Sequence, residues 1–284
     1  MVAMFTACGS KPEVNQGTET LKIADAKSIA DLKGMRIAAQ QGTFHETALD
    51  QIEAVQKSSY PDFPSLLVAL KANSIDGYIA EEPTALAETL KDSSLSYVKL
   101  VNNDTGFTAG KEDTGIAIGL KTDSSLREEI NKVLAEISEE TKGQLMEEIV
   151  RLAAGEDIKE FCLKSEEPEN PTGTLKVAME CAYQPFNWTD TEGKETSGSV
   201  DIMSEGYEGC KANGYDVQIA KYVANKLGMK LEIYALDWSA LIPALNAGTV
   251  DAIVAGMSPT AEREAEIDFT DTYYESNLVI VINK

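Results

Sequence analysis

Arg263 is the residue of this chain whose position best suits the binding of an anion. It falls in the first turn of a helix that the sequence predicts to begin around 258–260 (SPT). Ser and Thr are common N-caps, and proline is tolerated at a helix start. Backbone amides and the helix dipole attract an anion there, and arginine adds a bidentate clamp for a carboxylate. The alternative is an exposed arginine paired with Glu262 or Glu266.

Carboxylates or a polar turn follow predicted strands in three other places. Glu81 comes directly after strand 77–80, the Gly42-Thr43 turn follows strand 35–39, and Glu180 ends strand 175–179. In open α/β sheets, ligands bind outside the carboxyl ends of the strands. Arg263 in one half of the chain and Glu81 in the other would suit a zwitterion, with its carboxylate on Arg263 and its ammonium on Glu81. For Glu180 the alternative is a solvated residue at a sheet edge.

Two aromatic residues lie close to the ends of predicted elements. Tyr183 follows the strand 175–179, and Trp238 precedes the predicted helix at 241–246. Aromatic side chains at such positions line ligand clefts or pack in the core. His45, the only histidine, is interpreted as a residue on a helix surface.

The elements that must position these side chains occur twice. Residues 241–263 read as helix, turn, strand and helix start, and residues 67–84 are a fainter copy in which Asp76 aligns with Asp251. Alternating helices and strands predict mostly parallel sheets flanked by helices. A length of 284 residues suits two such lobes. The strand predicted at 114–120 is assigned to the edge of the lobe formed by the first half.

Charge and cysteine content exclude several classes of function. The net charge of −22 argues against binding to nucleic acid or to anionic membranes. Cys162, Cys181 and Cys210 lack the spacing of a zinc site, and we predict neither metal nor cofactor. In an exported protein Cys181 and Cys210 could form a disulfide; three separate thiols are the alternative.

The N-terminus is unusual. Residues 1–8 (MVAMFTAC) resemble the end of a bacterial lipoprotein signal without its basic region, which suggests a truncated start and makes Cys8 a candidate for lipidation. Residues 11–20 then read as a polar tether.

Six segments together resemble one known family, the polar amino-acid-binding proteins (solute-binding protein family 3) of bacterial ABC importers. They are MECAYQPFNW (179–188), NGYDVQIAKYVANKLG (213–228), LDWSALIPALNAGTVDAIVAGMSPTAERE (236–264), IDFTDTYYES (267–276), SIADLKGMRIAAQQGT (28–43) and NSIDGYIAEEP (73–83). The resemblance implies a two-lobed periplasmic-binding-protein-like (type II) fold.

The resemblance also implies roles for individual residues. Tyr183 and Trp238 would sandwich the ligand's side chain, and Gly256 would offer backbone contacts. Those implied for the α-carboxylate are Ser258, Arg263 and Thr43. Glu81 would hold the α-ammonium, and Glu180 matches an acid found in members specific for basic amino acids, which favours arginine, lysine or ornithine over glutamine or cystine.

The order of the segments differs from that of the family, which suggests a circular permutant. The implied parts are a lipoprotein-like tether (1–20), the family's second lobe (21–113), a hinge strand and helices of the first lobe (114–164), a linker (165–173), and the first lobe with a hinge strand (174–284). The chain ends would lie at the hinge, with only the strand near 114–120 left continuous between the lobes. Lobe exchange between two chains would then compete with a monomer.

The resemblance implies a receptor without enzymatic activity that traps a free L-amino acid between its lobes and delivers it to the membrane subunits of an ABC importer. Its location would be extracytoplasmic, either as a lipoprotein on the surface of a bacterium, in particular a Gram-positive one, or in a periplasm. One alternative is a dehydratase-type enzyme on the same fold, with Glu180 as the candidate general acid. An amino-acid sensor domain is another.

Overall fold

The computed structural model describes residues 22–190 and 198–284. The predicted tether and Cys8 lie outside the described residues, as does 191–197 of the polar insertion that the sequence indicates. The strands are β1 (Ile37–Gln40), β2 (Ser58–Tyr60), β3 (Gly77–Glu81), β4 (Leu95–Lys99), β5 (Gly115–Ile116), β6 (Gly119–Leu120), β7 (Thr174–Met179), β8 (Ala182–Tyr183), β9 (Asn187–Asp190), β10 (Val200–Asp201), β11 (Lys211–Asn213), β12 (Lys230–Ala235), β13 (Ala252–Ile253), β14 (Asp268–Phe269), β15 (Tyr274–Glu275) and β16 (Leu278–Asn283).

Helices connect most of these strands. They are α1 (Phe44–Ala48), α2 (Phe63–Lys71), α3 (Glu82–Lys91), α4 (Lys111–Thr114), α5 (Leu126–Ala135), α6 (Glu139–Ala153), α7 (Tyr215–Lys226), α8 (Leu241–Asn246) and α9 (Ala261–Glu264). Short 3-10 helices cover Ile23–Asp25, Ile29–Leu32, Leu49–Gln51 and Trp238–Ala240. None of the helices in the described ranges is long and apolar enough to cross a membrane.

Two five-stranded sheets have the same arrangement of parallel and antiparallel strands. The first runs β2-β1-β3-β16-β4 and the second β12-β7-β13-β6-β14. In each, the fourth strand is antiparallel to both neighbours while the strands before it run parallel. β16 is apolar and buried from Leu278 to Ile282, as expected of a strand covered on both faces. The structure therefore has the predicted two-lobed α/β architecture, in which each lobe holds a mostly parallel sheet flanked by helices.

Two continuous segments join the lobes, which corrects the prediction of one. We call residues 110–119 the first crossover and 269–278 the second crossover; they pair through β5 and β15. The sequence 114–120 is not one strand at the edge of the first sheet: β5 lies in this crossover pair, and β6 lies inside the second sheet between β13 and β14. The apolar residues of 114–120 are continuous in the sequence, so nothing in it indicates that the segment divides between the crossover pair and the second sheet.

The C-terminal strand also belongs elsewhere than predicted. β16 was assigned with 174–284, yet it pairs along its length with β3 and β4 of the first sheet. Lys284 lies beyond the far end of β16, where its amide donates to the Ser94 carbonyl oxygen at 2.9 Å. The C-terminus therefore lies at the edge of a lobe and not at the hinge.

The segment between α6 and β7 packs against the body of the protein. Phe161 and Leu163 are buried in the core cluster, and the Asn225 side chain contacts the Ser165 hydroxyl. Residues 165–173, predicted as a linker, are anchored at their end by Thr172, whose amide donates to the Gly228 carbonyl oxygen at 2.8 Å. Cys162, Cys181 and Cys210 are free thiols in the structure, so the disulfide alternative is not realised in it.

Gly214, directly before α7, has a φ of +133°, and a Cβ there would lie 2.2 Å from the Phe186 carbonyl oxygen. We predict that Gly214→Ala lowers the free energy of unfolding by at least about 2 kcal/mol, since it adds both a clash and a strained backbone. Urea unfolding monitored by circular dichroism measures this change. The control is Gly143→Ala within α6, where a Cβ meets nothing within 4 Å; it should add up to about 1 kcal/mol. Equal effects of the two changes would contradict the argument.

Candidate functional site

The carboxyl ends of the parallel strands of both sheets meet around one cavity of about 20 Å³. Residues that line this cavity lie at the end of β3 and shortly after β1, β7, β12 and β13. The lining includes seven of the eight predicted ligand-binding residues: Thr43, Glu81, Tyr183, Trp238, Gly256, Ser258 and Arg263. Glu180 lies in a neighbouring cavity of about 560 Å³, which also reaches Trp238 and Arg263. The structure thus brings all eight residues together.

Arg263 bridges the two lobes. Its Nη1 donates to the Ser258 carbonyl oxygen at 2.8 Å, and its Nη2 donates to the Gly42 carbonyl oxygen of the opposite lobe at 3.0 Å. The guanidinium carbon lies 5.1 Å from the centroid of the Trp238 ring, within the range of a cation–π contact. Burial lowers the pKa of Arg263 to about 10, so the side chain stays charged at neutral pH. Among the described ion pairs, none joins it to Glu262 or Glu266.

The helix around Arg263 is very short. α9 has a single turn with Thr260 as its N-cap, and the Thr260 side chain makes no capping hydrogen bond. The Ser258 hydroxyl instead donates to the Asp113 carbonyl oxygen at 2.9 Å. One turn gives little helix dipole, so an anion in this cavity would depend on the guanidinium of Arg263 rather than on the helix.

Tyr183 is stacked on an aromatic residue that the sequence analysis did not select. Its ring is nearly parallel to that of Phe63, with centroids 4.1 Å apart. Gly256 also packs against the Tyr183 ring, so closely that a Cβ at this position would lie 2.9 Å from a ring carbon. Phe63 opens α2 and contacts Tyr183 of the opposite lobe across the cavity. Its position after β2 at the carboxyl edge of the sheet was the signal that could have identified it.

Glu81 is paired with His45, and this corrects the placement of His45 on a helix surface. The His45 Nε2 lies 3.0 Å from the Glu81 Oε1, and both side chains are 8% exposed. The Glu81 Oε2 and the His45 Nδ1 are buried without a hydrogen-bond partner. Thr43, the N-cap of α1, donates its hydroxyl to the Gln40 carbonyl oxygen at 2.8 Å. The buried carboxylate oxygen of Glu81 is therefore available to a positively charged group.

Glu180 supplies a second unsatisfied carboxylate oxygen. Its Oε1 accepts from Gln40 Nε2 of the opposite lobe at 2.8 Å, while its Oε2 is buried without a partner. Burial raises the pKa of Glu180 to about 7, against the lowering effect of the Gln40 hydrogen bond; Asp62 and Asp237 raise it further. All three acids line the larger cavity, so its potential favours a cation.

Residues 203–284 match the sequence model of the bacterial extracellular solute-binding proteins, family 3. The arginine-binding extracellular protein ArtP of Bacillus subtilis is 43% identical over 77 residues, which are 27% of this chain and 30% of that protein. The L-cystine-binding protein TcyA of the same organism is 32% identical over 112 residues, 39% of this chain and 35% of that protein.

One solved structure also matches part of the chain. An ancestral amino acid-binding protein, described as a precursor of cyclohexadienyl dehydratase, is 33% identical, with 35% of this chain and 36% of that chain covered and a TM-score of 0.28. The chain thus spans about a third of the length of the relatives it matches.

Proposed function

We propose that the chain, which matches family 3 of the bacterial extracellular solute-binding proteins over residues 203–284, is a member of that family and binds a free L-amino acid between its lobes for an ABC importer. The observation that carries this proposal is the convergence of Arg263 and Glu81 on one cavity. A guanidinium and a buried carboxylate on opposite lobes match the two charges that every free amino acid carries at neutral pH.

Arg263 and Glu81, which we call the clamp, each have an atom that can bind the ligand. The Glu81 Oε2 is without a partner and would accept from the α-ammonium. The Arg263 Nη2 now donates to Gly42 of the opposite lobe, and the α-carboxylate would take over this donor. Thr43, Ser258 and the backbone of Gly256 would complete the carboxylate site, with Tyr183 and Trp238 beside the side chain. A guanidinium–carboxylate pair, in which both groups are charged, is stronger than a hydrogen bond from the guanidinium to a neutral carbonyl oxygen, so the exchange favours the ligand.

The larger cavity favours a basic side chain. Glu180 has an unsatisfied buried oxygen, and Asp62 and Asp237 line the same space. A guanidinium or ammonium there would neutralise this negative potential, whereas an acidic side chain would be repelled. This supports arginine, lysine or ornithine, in agreement with the name of the arginine-binding relative.

Binding would require the lobes to separate and close again. A cavity of about 20 Å³ has room for about one water molecule, so an amino acid enters only when the two sheets move apart. The paired crossover segments are the place where such a hinge motion would be absorbed. The ligand then contacts both lobes and shifts the population towards the closed form.

We also propose that the chain carries the family's segments in rotated order. The two sheets share one strand order, and the family match lies at the C-terminal end of the chain. An extracytoplasmic location, anchoring through a lipidated Cys8 and the choice between monomer and lobe-swapped dimer belong to the same proposal. So do the domain parts given above, except that β16 joins the lobe of residues 21–113. A dehydratase on this fold is the second candidate, because a carboxyl group with a pKa of about 7, such as Glu180, suits a general acid.

Isothermal titration calorimetry with arginine, lysine, ornithine, glutamine and cystine tests the proposal. We expect the three basic amino acids to bind with one site per chain, and a ligand at 100 times its Kd should add about 2.7 kcal/mol to stability in a thermal unfolding experiment. Prephenate and arogenate are incubated in parallel, and release of an aromatic product would favour the enzyme. If none of the 20 common amino acids binds, the receptor proposal is wrong.

A further inference from the structure

His45 and Glu81 form a buried pair in which each side chain has a second polar atom without a partner. The His45 Nε2 lies 3.0 Å from the Glu81 Oε1, and both side chains are 8% exposed. Within the described ranges, the Glu81 Oε2 and the His45 Nδ1 are buried and make no hydrogen bond. Both residues line the cavity of about 20 Å³. A buried carboxylate oxygen without a donor is costly, so the pair suits a ligand that supplies one.

The two side chains meet because their strands are neighbours. β1 pairs in parallel with β3, so the residues that follow β1 lie beside the carboxyl end of β3. His45 is the second residue of α1, and Glu81 is both the last residue of β3 and the N-cap of α3. The Glu81 side chain makes no capping hydrogen bond. The direction of its carboxylate is therefore set by His45 and not by the helix that it precedes.

The His45 imidazole is a donor that is itself held in place. An ionised carboxylate only accepts hydrogen bonds, so the ring donates from Nε2 to the Glu81 Oε1. Phe63 meets the His45 ring edge to face, with centroids 6.1 Å apart and planes at 84°. Packing against Phe63 limits rotation of the imidazole, and the donor consequently has one preferred direction.

A fixed donor matters because a glutamate side chain has several rotatable bonds. An unrestrained carboxylate would lose this freedom when the ligand binds, and the loss would weaken the affinity. With Oε1 bonded to His45, the Glu81 carboxylate is ordered before the ligand arrives. Its Oε2 is then the oxygen left for an ammonium group.

We infer that His45 is a positioning residue that orders the Glu81 carboxylate for the α-ammonium of the ligand. It acts through Glu81, and its effect is the same for every ligand that carries an α-ammonium. In this respect it differs from Glu180, whose effect depends on the ligand's side chain. The inference rests on the proposed function, since the ordered carboxylate serves amino-acid binding.

The test compares three substitutions of His45 that separate the donor from the ring. His45→Phe keeps an aromatic ring against Phe63 and removes the donor. His45→Gln places an amide nitrogen near the position of Nε2, whereas the shorter His45→Asn does not reach the Glu81 carboxylate. Thr47→Ala, at an exposed position of the same helix, is the control.

Three measurements are made on each variant. Calorimetry gives the affinity for L-arginine and L-lysine, and the urea midpoint reports stability. NMR follows the ring Nε2 proton in the native protein and in Glu81→Gln. His45 is the only histidine of the chain, so this resonance needs no further assignment.

We expect His45→Phe and His45→Asn to weaken the binding of both amino acids about tenfold, the effect of losing one hydrogen bond to a charged group. His45→Gln should recover most of this loss, and Thr47→Ala should bind as the native protein does. The Nε2 proton should lie downfield in the native protein and move upfield in Glu81→Gln, because an amide oxygen is a weaker acceptor than a carboxylate.

Native affinity in His45→Phe would overturn the inference. A loss in His45→Gln as large as that in His45→Phe would do the same, since the ring and not the donor would then be required. A native protein that binds neither amino acid refutes the proposed function, and the positioning of a ligand fails with it. A native protein that binds both, beside a His45→Phe that binds them equally well, refutes the inference alone.

Discussion

Arg263→Ala should weaken the binding of every amino-acid ligand about a thousandfold, whatever its side chain. The α-carboxylate is common to all free amino acids, and we assign it to the Arg263 guanidinium, which lines the cavity. Removing one partner of a desolvated charge pair costs about 3–5 kcal/mol, because the other charge stays buried and unpaired. Calorimetry with the tightest ligand of the native protein measures the loss directly.

The controls for this prediction separate charge from geometry and binding from folding. Arg263→Lys keeps the positive charge but lacks the bidentate fork, so we expect an intermediate loss. Arg127→Ala removes an exposed arginine of α5 and should leave affinity unchanged. Thermal unfolding should shift only modestly in Arg263→Ala, since two hydrogen bonds to carbonyl oxygens and one cation–π interaction hold the guanidinium in place. Native affinity in Arg263→Ala would show that another group binds the carboxylate.

The convergence of the site could be predicted because it follows from strand ends. Arg263, Glu81 and Glu180 each lie shortly after a buried strand, and parallel strands bring their carboxyl ends to one edge. The repeated unit at 67–84 and 241–263 gave two such edges, and the structure brings them face to face. The roles of these residues in binding stay predictions.

His45 and Phe63 were missed because their environment is made by the opposite lobe or by a distant strand. His45 sits in a five-residue helix, too short for a period to reveal its buried side. It meets Glu81 through the pairing of β1 with β3. Phe63 meets Tyr183 only through closure of the two lobes. Neither contact leaves a local pattern in the sequence.

The hinge was misassigned for a related reason. The apolar segment 114–120 reads as one strand, but the Ile118 amide donates to the Thr270 hydroxyl 152 positions later, and its neighbours pair in two different sheets. Non-local pairing decides which strand a short apolar run joins. β16 was misassigned for the same reason. An all-apolar strand fits the interior of either sheet, so its sequence does not indicate which strands it pairs with.

Glu180→Gln should lower arginine affinity about a hundredfold while leaving glutamine affinity within a few-fold of the native value. Glu180 has a buried oxygen without a partner at the border of the acidic cavity. A cationic side chain would pair with it, and an isosteric amide removes only the charge. Glu232→Gln on the neighbouring strand β12, outside this cavity, is the matched control. Equal losses for arginine and glutamine would mean that Glu180 supports the fold rather than selecting the side chain.

The pH dependence of Glu180 gives this prediction a second readout. Burial raises its pKa from 4.5 to about 7, so below pH 7 a cationic ligand must first expel a proton. Native arginine affinity should therefore rise from pH 6 to pH 8 and then level off, whereas Glu180→Gln should show a flatter profile. Stability runs the opposite way: the folded protein binds this proton more tightly than the unfolded chain, so the free energy of unfolding falls as pH rises from 4.5 to about 7. Burial also raises the pKa of Asp216, to about 6, and this contributes a similar slope in both proteins, so the difference between native and Glu180→Gln isolates Glu180. A native profile for arginine that is flat from pH 6 to pH 8 would contradict a carboxylate at this position as the partner of the ligand's cation.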